Sequence, residues 1–217
     1  MKLTIFGASG RTGIHLVEQA LAAGHDVVAL IRDPAKLAVR HERLQITQGE
    51  LSDKTAVEEA VRGADAVLAA LSPKIVGGPR DLPLASGTRN ILAAMHTHDV
   101  RRLVFSWGPS ILIPRNPLLR AVRSASFALF RLLPATRPVV TESAEVGAAI
   151  RGSDRAWTIV AVTAPNDKPG SGTVKVRTAT GSGERVGARI SRADLAAFMI
   201  AQTDDSHYAQ QELRISN

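Results

Sequence analysis

The sequence predicts an α/β fold, with one domain over residues 1–217 and a doubly wound parallel sheet covered by helices on both faces. Two observations predict it. Short runs rich in aliphatic and β-branched residues alternate with helical patterns through the first two-thirds of the chain, and these runs are almost continuously apolar. Continuous apolar runs are typical of parallel strands that are buried on both faces.

Six strands are predicted in order along the chain, at Leu3–Phe6, Asp26–Ile31, Leu44–Thr47, Ala66–Leu71, Arg102–Phe105 and Trp157–Val162. The first helical pattern runs from Ile14 to Ala23. Further helices are expected to begin near Asp33–Pro34, Asp53, Leu84 and Thr141. Most of these starts carry a side chain that caps helices well.

A glycine-rich turn joins the first strand to the first helix. Its residues are Gly7, Ser9, Gly10, Arg11, Thr12 and Gly13. The glycine spacing is G-x-x-G-x-x-G, a variant of the G-x-G-x-x-G that holds a dinucleotide pyrophosphate in Rossmann-like folds. Backbone N–H groups and the positive end of the helix dipole face the anion in such a turn. The motif predicts a dinucleotide site, and a tight structural turn without a ligand is the alternative.

Arg32 follows the second strand, nineteen residues after Gly13. An acidic residue at this point accepts hydrogen bonds from the ribose of NAD, whereas an arginine accommodates the 2′-phosphate of NADP. Arg11 is a second candidate cation for that phosphate. Asp33 is followed by Pro34, so we interpret it as the cap of the next helix. The sequence therefore predicts NADP (NADPH) as the cofactor; a solvated strand-end arginine is the alternative for Arg32.

Composition and charge exclude several classes of protein. The net charge is +7, from 27 Lys and Arg against 20 Asp and Glu, but the charges are scattered and only eight residues are aromatic. Nucleic-acid binding is therefore not expected. Without cysteine there is no disulfide and no thiolate site. No apolar stretch reaches the ~20 residues of a membrane span, and we expect a cytoplasmic protein.

The sequence lacks the pair Tyr-x-x-x-Lys, in which many dehydrogenases use the tyrosine to exchange a proton with the substrate oxygen. The only tyrosine is Tyr208, and Glu212 stands four residues later. Ser106 and Ser110 follow the fifth strand, and either is a candidate hydrogen-bond donor to cofactor or substrate. Ser106 is the first choice, with a strand-end capping role as its alternative. Trp107 is a candidate stacking surface or a core residue. The histidines are isolated or badly spaced, so we expect no metal site.

Two irregular segments, Ser72 to Pro83 and Asn166 to Gly172, follow predicted strands and are expected to form the rim of the site. The C-terminal third is expected to add a small substrate-side region. Asn116 to Pro134 predicts an amphipathic helix that interleaves leucines with arginines. This helix is interpreted as a surface helix, a lid that attracts an acidic substrate, or a dimer or membrane contact.

Four stretches resemble the atypical short-chain dehydrogenase/reductases, in particular the NmrA-like group and the flavin reductases of the biliverdin reductase B type. They are GASGRTG from Gly7, ALIRDPAKL from Ala29, GELSD from Gly49 and GTRNILAAM from Gly87. WTIVAVTAP and ISRADLAAFM match more loosely. The resemblance implies that Glu50 and Leu51 lie by the adenine, Leu71 and Ser72 by the cofactor ribose, and Thr163 to Pro165 near the nicotinamide. Family members usually have Asp at position 50.

Two functions agree with these observations. One is an NADPH-dependent reductase that transfers hydride to a flat conjugated small molecule such as a flavin or a quinone. The other is a non-catalytic NADP sensor, as the NmrA resemblance implies. Either protein is expected as a monomer or a homodimer.

Overall fold

The computed structural model describes residues 1–72, 83–107 and 137–217, with the backbone alone at 137–139. The strands within these ranges are β1 (Lys2–Phe6), β2 (Asp26–Ile31), β3 (Leu44–Gln48), β4 (Ala66–Ala70), β5 (Arg102–Trp107), β6 (Ala156–Ala161), β7 (Ala164–Asn166), β8 (Lys175–Thr178), β9 (Arg189–Ser191) and β10 (Gln211–Ser216). The helices are α1 (Arg11–Ala22), α2 (Lys54–Val61), α3 (Pro83–Thr97), α4 (Arg137–Arg151) and α5 (Arg192–Asp204).

Eight strands form one sheet in the order β3-β2-β1-β4-β5-β6-β10-β8. All neighbours are parallel except the edge strand β8, which is antiparallel to β10. The strand order reverses beside β1, which confirms the predicted doubly wound α/β sheet. Phe6 at the end of β1 pairs with Leu30 of β2 and Ala69 of β4, so the carboxyl ends of these strands meet at one edge.

The core has two layers, one on each face of the sheet. Leu3 and Ile5 face α1 and α5, while Phe6 faces the layer of α2, α3 and α4. All three side chains are fully buried. Strands buried on both faces explain why the sequence shows continuous apolar runs and little alternation.

The prediction of a helix that begins near Asp33–Pro34 is wrong, because only the 3-10 turn Pro34–Lys36 forms there. Asp33 does cap this turn, since its carboxylate accepts a hydrogen bond from the N–H of Ala35 at 3.2 Å. Leu37 then adopts an extended backbone and is fully buried in the layer of α1 and α5. Burial of this side chain takes the chain out of the helical conformation after one turn.

The other predicted helices form. α2 is capped by Asp53, as expected, while α3 begins at Pro83 and α4 at Arg137. Strands β7 to β10 were not predicted; β7 and β9 form a separate two-stranded sheet, in the C-terminal third where a small region was expected. The predicted helix from Asn116 to Pro134 lies outside the described residues. Within the described ranges, no helix is long and apolar enough to cross a membrane.

Candidate functional site

A cavity of about 540 Å³ opens at the carboxyl ends of β1, β2, β3 and β4. Ten of the residues predicted to hold the cofactor line it: Gly7, Ser9, Gly10, Arg11, Thr12, Arg32, Glu50, Leu51, Leu71 and Ser72. The remaining lining residues are Leu30, Ile31, Gly49, Ser52, Ala70, Pro83 and Leu84 at the start of α3, and Arg192, the first residue of α5. Ligands of open α/β sheets bind at this edge, where the strand order reverses.

The glycine turn lies between β1 and α1, and two of its glycines are required by their neighbours. Gly7 has a φ of +79°, and a Cβ there would overlap the carbonyl oxygen of Ala70 in β4. A Cβ on Gly13 would overlap the carbonyl oxygen of Gly7. Gly10 differs, because an added Cβ would meet only Gly7 O, at 3.1 Å, and the residue is exposed. The absence of a side chain at Gly10 thus leaves space in the cavity that a ligand can occupy.

Helix α1 begins at the cavity with its N–H groups available. Gly10 is its N-cap and donates its own N–H to Gly7 O at 2.9 Å. The first turn of α1 holds no acidic residue and no side-chain cap. Such a helix end attracts an anion through its N–H groups and its dipole.

Arg32 is exposed at the end of β2 and lines the cavity. Asp33, the competing candidate for the ribose, uses its carboxylate to cap the following turn. Arg32 is therefore the charged side chain of this pair that is available to a nucleotide.

The wall on the side of β3 and α3 is held by hydrogen bonds. Asn90 of α3 donates its side-chain N–H to Leu51 O at 2.8 Å. At the start of α3, the N–H of Leu84 donates to Glu142 of α4 at 2.7 Å. Glu50 is exposed beside Leu51 at the mouth of the cavity. The two hydrogen bonds hold Leu51 and Leu84, which are apolar residues of the cavity wall.

The described residues that were predicted to contact the nicotinamide or the substrate do not line the cavity. Thr163 and Pro165 follow β6 and do not line the cavity. Ser106 is buried in β5, where it pairs with the cavity residue Ala70 but does not line the cavity itself. Ser110 lies outside the described residues. Trp107 is 1% exposed and packs on the ring of Phe105, with 5.5 Å between ring centroids, so its interpretation as a core residue is confirmed.

Tyr208 lies at the opposite edge of the sheet. Its carbonyl oxygen accepts a hydrogen bond from Thr158 near the start of β6, and β10 begins three residues later. This edge holds the amino ends of the parallel strands, whereas the cavity lies at their carboxyl ends. The only tyrosine of the chain is therefore remote from the cavity.

Two charged residues at the edge of the cavity, Arg192 and Asp167, were not singled out by the sequence analysis. Arg192 lines the cavity with a side chain that is 10% exposed, and its Nη1 donates to Asp167 Oδ1 at 2.5 Å. Arg11 Nη2 donates to the other carboxylate oxygen of Asp167. Asp167 belongs to the segment from Asn166 to Gly172 that was expected at the rim, and this contact places it there. No sequence spacing signals the cluster, because Arg11 and Asp167 are 156 positions apart.

Asp194 of α5 fixes the rest of this rim segment. Its carboxylate is buried and accepts hydrogen bonds from Ser171 N at 2.8 Å, Gly172 N at 2.9 Å, Ser191 Oγ at 2.7 Å and Asn217 Nδ2 at 2.7 Å. Burial alone would raise the pKa of Asp194. The four donors outweigh burial and lower that pKa to about 2.

We expect Asp194→Asn to destabilise the protein by about 2 kcal/mol at neutral pH, because the lowered pKa measures how strongly the fold prefers the carboxylate. A depressed pKa contributes stability that is present above the unfolded value near 4 and is lost as the pH falls through 2. The difference between wild type and variant in urea unfolding should therefore shrink in acid. Asp204→Asn, at an exposed position of the same helix, is the control. Equal losses in both variants would contradict this role.

The comparisons with known proteins agree with this geometry. A sequence profile described as NAD(P)H-binding matches residues 7–206. The chain belongs to this NAD(P)H-binding family. The match begins at the first glycine of the turn and covers most of the chain, so the resemblance to short-chain dehydrogenase/reductases is confirmed at the level of the family and its Rossmann-like fold.

Curated relatives of this NAD(P)H-binding protein match over part of their length. Cinnamoyl-CoA reductase 1 of Petunia hybrida is 30% identical over 112 residues, which cover 47% of this chain and 33% of the relative. The 2-alkyl-3-oxoalkanoate reductase of Stenotrophomonas maltophilia is 31% identical over 119 residues, with coverage of 51% and 34%. The chain thus spans about one third of the length of these relatives.

The fold is shared with a short-chain dehydrogenase/reductase of Veillonella parvula, solved in complex with NADP. The TM-score is 0.73 at 18% identity, and the superposition covers 100% of this chain and 94% of that chain. At this identity the likeness concerns the fold alone. It agrees with the Rossmann-like sheet of the present protein.

Proposed function

We propose that this protein is an NADPH-dependent oxidoreductase that transfers hydride to a flat conjugated acceptor, such as a flavin or a quinone. One observation carries the proposal. The glycine turn, Arg32 and the start of α1, which has no side-chain cap, all line the same cavity. The turn offers N–H groups to a pyrophosphate, and Arg32 offers a cation to a 2′-phosphate. The reductase names of the two curated relatives support the reaction class.

The residues of the cavity are proposed to hold the pyrophosphate, the 2′-phosphate, the adenine and the ribose of the cofactor. Gly7 to Thr12 would hold the pyrophosphate, and Arg32 the 2′-phosphate. Glu50 and Leu51 would flank the adenine, with Leu51 fixed in place by Asn90. Leu71 and Ser72, after β4, would contact the ribose. Thr163 to Pro165, after β6, would lie on the nicotinamide side, beyond the residues that line the cavity.

NADPH supplies the hydride when bound, and the protein orients the acceptor and excludes water. A strong acid is not required, because flavins and quinones accept hydride directly. Ser106 and Ser110 are the proposed hydrogen-bond donors to cofactor or acceptor. The arginines between Asn116 and Pro134 are proposed to attract an acidic acceptor.

Flavins and quinones should oxidise NADPH in the presence of the purified protein, with a shallow pH dependence between about pH 6 and pH 8, because the described residues that line the cavity include no histidine. Tyr208→Phe should leave turnover unchanged, since Tyr208 lies at the opposite edge. Ser106→Ala should lower turnover about fivefold, the value of one hydrogen bond. Absorbance at the NADPH band measures all three.

A steep bell-shaped pH profile, or loss of turnover in Tyr208→Phe, would contradict the proposed mechanism. Tight NADPH binding without oxidation by any acceptor would favour the alternative of a non-catalytic NADP sensor. Absence of NADPH binding would overturn both.

A further inference from the structure

Two arginines share one carboxylate at the edge of the cavity. Arg11 is the first residue of α1 and Arg192 is the first residue of α5, and both line the cavity beside the glycine turn. Each donates to a different carboxylate oxygen of Asp167. The Arg192 side chain is 10% exposed, whereas the side chains of Arg11 and Asp167 are 69% and 55% exposed.

The charges of this cluster do not cancel. Arginine stays protonated at any ordinary pH, so two guanidinium groups face one carboxylate and leave a net positive charge. The N-terminus of α1, which has no side-chain cap, adds partial positive charge at the same place. A second anion is therefore favoured here, and Asp167 and that anion compete for the same N–H donors.

The backbone of Arg192 is held by contacts that do not involve Asp167. Arg192 begins α5, which is capped by Ser191 and packs against α1 through a hydrogen bond from Gln19 to Ala193 O at 3.1 Å. The rim segment is likewise held by other contacts, because Ser171 and Gly172 donate to Asp194. Removal of the Asp167 charge therefore leaves the backbone of Arg192 and the rim segment in place.

We propose that Arg11 and Arg192 bind the pyrophosphate of the dinucleotide, and that Asp167 competes with the pyrophosphate for these arginines and so limits affinity. This inference rests on the proposed function, in which the cavity binds NADP(H). Arg11 follows the glycine turn directly, and Arg192 begins the helix that packs on α1. Arg32 instead follows β2, so in this proposal Arg32 alone is assigned to the 2′-phosphate, and Arg11, the second candidate for that phosphate, is assigned to the pyrophosphate.

The test is the affinity of Asp167→Asn for NADPH and for NADH, measured by calorimetric titration at low ionic strength. We expect both cofactors to bind roughly three- to tenfold more tightly, since a carboxylate that competes with a phosphate is neutralised. Adenosine 2′-monophosphate, which has no pyrophosphate, should bind with unchanged affinity. Arg192→Gln should weaken NADPH and NADH by similar factors, and thermal melting checks that it folds.

Asp154→Asn is the matched control. Asp154 is also exposed and also bonds a buried arginine, Arg155, at 2.5 Å, but it precedes β6 at the opposite edge of the sheet. Its substitution removes the same charge and should not change cofactor affinity. Unchanged or weaker binding in Asp167→Asn would overturn the inference, as would a gain confined to NADPH. Failure of the wild type to bind either cofactor would instead overturn the proposed function.

Discussion

Gly10→Val should abolish dinucleotide binding while the protein remains folded. An added side chain at Gly10 meets only Gly7 O at 3.1 Å within the protein, and otherwise it projects beside the cavity. A pyrophosphate could then no longer approach the N–H groups at the start of α1. The loss of two charge-assisted hydrogen bonds corresponds to a decrease in affinity of about a hundredfold or more. Calorimetric titration with NADPH and NADH measures this loss.

Ala22→Val is the control for the Gly10 variant. It places the same β-branched residue at an exposed position at the other end of α1. Both variants should give circular dichroism spectra and melting temperatures close to those of the wild type. Binding of NADPH to Gly10→Val at wild-type strength would mean that the turn is structural and that the cavity serves another purpose.

Arg32→Ala should weaken NADPH binding about ten- to hundredfold and leave NADH binding nearly unchanged. The side chain is exposed, so its substitution costs the fold little, whereas a charge-assisted hydrogen bond to a 2′-phosphate is worth roughly 1.5–3 kcal/mol. Titration of each variant with both cofactors gives the ratio of affinities directly.

Arg62→Ala removes the same charge from an exposed position before β4, at the amino edge of the sheet, and should alter neither cofactor. Equal losses of NADPH and NADH affinity in Arg32→Ala would show that Arg32 does not discriminate between them. Such a result would leave the choice of cofactor to other residues of the cavity.

The central part of the fold could be predicted because its signals are local. β2 forms over Asp26–Ile31 as expected, since a buried parallel strand is a continuous apolar run. β10 was missed because only Leu213 and Ile215 are buried apolar residues among its six. β8 was missed for a similar reason, as a sheet edge that is half-buried needs few apolar residues.

The candidate site was predictable where it depends on one stretch of chain. The glycine turn and Arg32 carry the chemistry of a nucleotide site in their residue types and spacing. Arg192 and Asp167 carry no such signal, because they are 25 positions apart and meet only when the rim segment folds against the start of α5. The segment after Asp33 was predicted incorrectly for the opposite reason. Its local cap favours a helix, but Leu37 is buried in an extended conformation and only one short turn forms.

Because Asp194 accepts hydrogen bonds from two backbone amides of the rim segment, hydrogen exchange at these amides reports when the segment detaches. Ser171 and Gly172 are exposed residues in a stretch without helix or strand, and backbone amides in such stretches ordinarily exchange their hydrogen with solvent at once. Here both amides bond to a buried carboxylate. Their exchange therefore requires the segment to detach from α5. The exchange rates of two neighbouring amides thus measure the free energy of detachment without any label or substitution.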